Sequence, residues 1–150
     1  MLRARVASYA AEPSVARRVA LAMGLRILAR TVAPPDDMPR LRVALLTSYT
    51  SGPLASLVFA ESARLGIWVD LYEAAYEQYA AEILEPASGL CRFRPDVVFV
   101  SLASRDLFPE LFVGRGSTAQ AQRCRERLAP IIGLLRLAAH AFPAVLVTEF

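Results

Sequence analysis

The chain has 150 residues, 55% apolar and 21% charged, enough for one compact domain with a real core and too few for two ordinary ones. All 17 positive charges are arginine, and against 14 acids they leave a net charge of only +3; scattered arginines in so mild an excess do not predict a nucleic-acid partner. With no lysine, one histidine (His140) and two cysteines (Cys91 and Cys124), the composition excludes a lysine-bearing phosphate loop, Schiff-base chemistry and a structural zinc site built from this chain alone; no metal or cofactor is expected.

Arg3 and Arg5 would suit the charged start of a signal peptide, but Glu12, Pro13 and Arg17-Arg18 break the apolar stretch that should follow. No run of about 18 uncharged apolar residues exists, since Arg26 cuts the best one. The expectation is a soluble, cytoplasmic chain without a membrane partner, its cysteines two free thiols, with a disulfide as the alternative. Residues 14–31 read as a helix, opened by Pro13-Ser14 and closed by Pro34-Pro35, with apolar residues around most of its cylinder. A Pro- and Asp-rich linker occupies residues 32–40. Residues 1–40 are thus expected to be an N-terminal helix and linker, and 41–150 an α/β domain.

From Leu41 the pattern alternates. LRVALL (41–46) is a short apolar run of the buried parallel-strand type, followed by the polar loop 47–53 and a helix that begins at Pro53 and stops at Gly66. IWVDLY (67–72) is a second strand, 75–85 a short helix ended by Pro86 and the Ser88-Gly89 turn, and DVVFVSL (96–102) a third strand. A loop over 103–116 leads to a long helix, capped by Ser117, reaching Ala141 and bent at Pro130; AVLVT (144–148) is a fourth strand. Right-handed crossovers make this a three-layer α/β sandwich with a parallel sheet of order 2-1-3-4, strand 41–46 inside, and the N-terminal helix as an addition.

In such a sheet, ligands bind beyond the carboxyl ends of the strands, so three loops carry the functional expectation. The first offers Ser48 as nucleophile or ligand contact, with Tyr49 and Thr50 beside a helix N-terminus that favours anions; a cluster of capping hydroxyls is the plainer alternative. The second offers Glu73, or a solvated helix start. The third offers Ser104, Arg105 and Asp106, with Arg105 able to fork a carboxylate or phosphate or simply to pair with Asp106. His140 falls at the other end of the sheet, so a Ser-His-Asp relay cannot be assembled from one copy of the chain.

LRVALLTSYTSGPL, GIWVDLYEAAYEQYAAEILEPASGL and RPDVVFVSLASRDL together resemble the N-terminal SGNH-like domain of FkbH-like proteins, bacterial enzymes of the HAD superfamily (subfamily IIIC) from polyketide and related natural-product pathways. The resemblance covers about residues 41–150, and it implies a domain incomplete at its C-terminal end. It implies a flavodoxin-like, SGNH-hydrolase-like sheet ahead of a HAD domain that, in the best-known members, loads a glyceryl unit from a phosphorylated three-carbon donor onto an acyl carrier protein. The Gly-Asp-Ser-x-Thr block of working SGNH hydrolases reads Leu46-Thr47-Ser48-Tyr49-Thr50 here, and their Gly-x-Asn-Asp block reads Ala103-Ser104-Arg105-Asp106. The asparagine that donates to the oxyanion is lost, at a typical cost of about 100- to 1000-fold in rate, and neither an Asp-x-x-His block nor the HAD Asp-x-Asp-x-Thr motif is present. The resemblance therefore implies a non-catalytic domain whose partners are an acyl carrier protein or a downstream HAD domain. The alternative is a divergent serine hydrolase or acyltransferase using Ser48 and Asp106, with Tyr49, Thr50, Glu73, Ser104 and Arg105 as ligand contacts; a small-ligand module of flavodoxin type is a third reading. An unguarded fourth strand, charged only at Glu149, and the largely apolar first helix also predict a homodimer or a covering domain.

Overall fold

The computed structural model describes residues 1–112 and 117–149. In chain order the elements are α1 (Leu2–Ala11), α2 (Val15–Ala29), β1 (Arg40–Thr47), α3 (Gly52–Arg64), β2 (Trp68–Glu73), α4 (Tyr79–Leu84), α5 (Gly89–Phe93), β3 (Val97–Leu102), α6 (Ser104–Leu107), a 3₁₀ turn (Pro109–Phe112), α7 (Thr118–Ala141) and β4 (Val145–Glu149). The strands form one all-parallel sheet in the order β2-β1-β3-β4, the expected flavodoxin-like α/β arrangement with β1 inside. Residues 113–116, the end of the loop predicted over 103–116, and Phe150 lie outside the described residues, as does the side chain of Glu149.

Packing divides the chain into two compact units, Met1–Val43 with Thr50–Leu71, and Ala44–Tyr49 with the chain from Tyr72 on. In the first, α1 is an element the sequence pattern did not signal. Its inward residues, Leu2, Val6 and the buried Tyr9, make a thin stripe at helical spacing among alanines and arginines. Tyr9, Ala22, Leu25, Phe59, Ala60, Ala63 and Trp68 form the core, and the Phe59 and Trp68 rings meet edge to face at 5.3 Å, a geometry worth about 0.5–1.5 kcal/mol beyond area burial. Helix α3 ends as expected: Gly66 takes φ +77, and Ile67 N–H reaches back to the Ser62 carbonyl at 2.9 Å, closing the last turn as a left-handed glycine cap does.

One carboxylate joins the three helices of this unit. Glu61 of α3 accepts from the Tyr9 hydroxyl at 2.7 Å, from the Arg18 guanidinium at 2.7 Å and from Arg64 Nε at 2.6 Å, while the Arg18 guanidinium stands 5.1 Å from the centre of the Tyr9 ring. The Tyr9 hydroxyl bond, then that of Arg64, holds the Glu61 carboxyl below its ordinary value.

The second unit buries Ala44, Leu46, Ala74, Leu90, Val98, Val100 and Leu102, with Ile131 and Leu135 of α7 and Tyr72, Ile83 and Phe93 packed against them. β3 and β4 run parallel in the register Val98↔Val145 to Leu102↔Glu149. The helix expected over 75–85 begins only at Tyr79, because Glu77 takes the left-handed φ of +56 and breaks the turn before it. The expected Ser88-Gly89 turn instead opens α5. Ser88 Oγ accepts from Cys91 N–H at 3.1 Å as its cap and donates to the Glu82 carbonyl at 2.8 Å. The Glu82 carboxylate accepts from the Tyr72 hydroxyl at 2.7 Å and from Leu90 N–H at 2.8 Å. Burial first, and then that bond to Glu82, pushes the Tyr72 phenol up to about 12. The Tyr72 hydroxyl lies over Gly89, where a Cβ would stand 2.2 Å from it. Ser117 caps α7, accepting from Gln120 N–H at 3.2 Å, and Pro130 is accommodated inside that helix. Cys91 and Cys124 are not joined in a disulfide, and both are half-buried. Among the described residues, no helix is long and apolar enough to cross a membrane.

Two outcomes follow from these carboxylate centres. A carboxyl held below its ordinary 4.5 contributes stability above that pH and loses it as pH falls through the folded value. Glu61→Gln should therefore cost about 1 kcal/mol at neutral pH, a modest figure because the ion pairs are partly solvated, and should flatten the decline below pH 4.5. Urea denaturation across that range checks this, and parallel acid limbs for the two proteins would contradict it. Gly89→Ala should cost about 1–3 kcal/mol by forcing the Tyr72 hydroxyl away from Glu82. Thermal denaturation reads it, and a variant within about 0.5 kcal/mol of the parent, the ordinary range for surface changes, would show that Tyr72 yields freely.

Candidate functional site

β1 delivers Thr47 and Ser48 to its carboxyl end because its residues 43–46 (VALL) form an uninterrupted apolar run that buries completely. The polar residues that follow are carried inward with it: Thr47 and Ser48 are 1% and 2% exposed. Each buried polar group must then find a partner. Thr47 Oγ1 donates to the Tyr49 carbonyl at 2.6 Å. Ser48 N–H donates to the Ser101 carbonyl at 3.2 Å, fixing the end of β1 on the end of β3.

The Ser48 hydroxyl is engaged in both directions. It accepts from Ala103 N–H at 2.9 Å and donates to Asp106 Oδ2 at 2.8 Å. Ala103 is the residue before α6 and Asp106 lies in the first turn of that helix, so the serine closes the start of α6 onto the end of β1. The two residues singled out as catalytic candidates are therefore brought together, 58 positions apart in sequence.

The other candidates divide. Tyr49 turns to β3: its hydroxyl is 2.7 Å from Ser101 Oγ, which is itself 3.4 Å from Thr148 Oγ1 on β4. This hydroxyl chain was not legible in the sequence, because Ser101 and Thr148 sit inside runs that read as plain strand; only the period-2 position of Ser101 next to the carboxyl end hinted at it. Glu73 ends β2 and is half-buried. Ser104 opens α6, half-buried, and its carbonyl accepts from Phe108 N–H at 2.8 Å. Arg105 is exposed, its guanidinium 5.7 Å from the centre of the Phe112 ring. Thr50 is exposed and belongs to the first unit. The capping role weighed for this loop is absent at Ser51, whose side chain makes no cap bond to α3.

The electrostatics of this edge come from carboxylates and phenols. The Tyr76 phenol is raised above its ordinary value first by Glu77, then by burial and by Asp106. Burial raises the Tyr79 phenol, with Glu77 and Asp106 adding to it. The 76–79 segment thus feels the charge of Asp106. Among the described residues no three His, Cys, Asp or Glu side chains gather as metal ligands.

Chemically, a hydroxyl held by a carboxylate and a backbone N–H is well satisfied but not activated. A carboxylate is too weak a base to take a serine proton outright, which is why serine nucleophiles work through an imidazole or a comparable base. The one imidazole, His140, lies in the last turn of α7, just ahead of β4. Ser101, bonded to Ser48, is opposite Thr148 near the far end of that strand. A five-residue strand spans about 17 Å, so His140 is out of reach of Ser48.

No family model matches the chain, and no curated protein matches it. Among solved structures it is similar to the N-terminal part of the protein BF1531 from Bacteroides fragilis, described as containing a phosphatase domain complexed with Mg, with a TM-score of 0.62 and 21% identity. The match covers 75% of this chain and 29% of that one. At that identity the likeness shows a shared fold, and the chain spans under a third of the other's length.

Proposed function

We propose that this chain is a non-catalytic α/β domain of FkbH type, serving a polyketide or related natural-product assembly by recognising a partner or a carrier-bound group. The observation that carries the reading is the state of Ser48: buried, its hydroxyl shared between Ala103 N–H and Asp106, and beyond reach of the histidine. The loss of the Gly-Asp and Gly-x-Asn positions of working SGNH hydrolases at Leu46-Thr47 and Ala103-Ser104-Arg105 agrees with it. The shared fold with the N-terminal part of a larger, phosphatase-containing protein supports a domain that works beside a catalytic HAD domain. On this reading that domain, or an acyl carrier protein, is the partner. The β4 edge, where Leu146 and Val147 are each more than half exposed, is where a covering domain or a second copy would pair.

A second reading, a divergent serine hydrolase or acyltransferase, rests on the 2.8 Å contact of Ser48 with Asp106. A fluorophosphonate serine probe separates the two. The non-catalytic domain should remain unlabelled at Ser48 under native conditions, and Ser48→Ala should change nothing in the labelling pattern. Stoichiometric labelling lost in Ser48→Ala would establish the enzyme instead.

A further inference from the structure

Helix α2 is dressed the wrong way round for a helix facing water. Its inward side carries the buried Ala22 and Leu25, together with Arg18, which reaches Glu61. The outward side carries Ala16, Ala20, Met23 and Ile27, at the i, i+4, i+7, i+11 spacing that puts four residues on one stripe. Met23 is 45% and Ile27 64% exposed. Beside the stripe no atom lies within 4 Å of where a Cβ on Gly24 would stand, and a cleft of about 280 Å³ opens there, floored by Leu21, Leu25 and Leu28 and edged by Arg5 of α1.

The charges that α1 and α2 themselves carry around this apolar stripe have one sign. Arg17 borders it on one side and Arg30 on the other, both exposed. Six arginines and a single acid, Glu12, precede Asp36, although the whole chain carries only +3. An apolar stripe between arginines, with no acid in α1 or α2, would repel a second copy of itself. Small residues at positions 16, 20 and 24 let another backbone come close, whereas helices that lie in a membrane surface use bulky Trp, Phe and Leu on the buried side. We infer that the outward face of α2 is a docking site for an amphipathic helix of an acidic partner protein, its apolar anchors on Ala20, Met23 and Ile27 and its carboxylates on Arg17 and Arg30. This goes beyond the proposed function by placing a partner surface on the first unit, and it stands whether or not Ser48 is reactive.

The test uses the full chain and a fluorescent synthetic amphipathic helix of about 20 residues, long enough to fold in water, with Leu and Ala on one face and Glu on the other. Anisotropy should show saturable binding that weakens with salt, and that falls at least about tenfold in Ile27→Asp, the loss of roughly one buried apolar side chain, and in Arg17→Glu with Arg30→Glu. The same peptide with Lys in place of Glu should not bind. All these positions are exposed, so circular dichroism should report an unchanged fold; Ala20→Trp, which blocks the stripe by bulk alone, should also abolish binding. Absence of saturable binding, equal binding of the Lys peptide, or full binding by Ile27→Asp overturns the inference. So does association with phosphatidylglycerol vesicles but not with the peptide, or a light-scattering dimer that Ile27→Asp dissolves.

Discussion

The Ser48 hydroxyl accepts from one backbone group and donates to one carboxylate, and both partners come from the short stretch Ala103–Asp106. That constraint orders the edge where the strands of the second unit end. With Ser48 N–H on the Ser101 carbonyl, the end of β1 is tied at two points to the end of β3 and the start of α6. The same bonds account for the burial of a polar residue at the end of an apolar strand: its hydrogen-bonding capacity is met within the protein, and leaving either group unsatisfied would cost about 1–3 kcal/mol. A catalytic serine needs the opposite arrangement, with its proton aimed at a base and its oxygen open to a substrate. At this position the two bonds of Ser48 brace the end of β1 against the start of α6.

Each unit also has a carboxylate at the meeting point of several donors, one of them a tyrosine hydroxyl: Tyr9 with Glu61 in the first, Tyr72 with Glu82 in the second. A chain without lysine or asparagine builds its polar interior from tyrosine, arginine, serine and glutamate. Glu82 binds both the Tyr72 hydroxyl and the backbone of Leu90, so the stretch from Tyr79 to Leu90 is a scaffold that seats α5 against the end of β2. At Gly89 a Cβ would force the Tyr72 hydroxyl that lies on it to shift.

The four strands, their order and the ends of α2, α3 and α7 were legible in the sequence, because each depends on local chemistry: short apolar runs, Pro53 at the start of α3, Gly66 at its end, Ser117 at the cap of α7; α5 and the four-residue α6, in stretches that read as a turn and a loop, were not. Helix α1 was not, since its stripe of Leu2, Val6 and Tyr9 gains meaning only from the helices it meets. The late start of α4 depends on the left-handed backbone of Glu77, a conformation no glycine announced. At the site, both Ser48 and Asp106 could be named from strand-end position, but their bond spans 58 residues and no local pattern encodes it. The hydroxyl chain through Ser101 and Thr148 was hidden for the same reason.

Amide hydrogen exchange at Ala103 tests the structural role of Ser48 most directly. If the hydroxyl holds that N–H, exchange should be slow in the native protein and should accelerate at Ala103 in Ser48→Ala, while the amides of Val98 and Val100 in the strand core keep their protection. Exchange at Ala103 as fast as in an open loop in the unmodified protein, or unchanged by Ser48→Ala, would contradict the account and return Ser48 to the list of free, reactive hydroxyls.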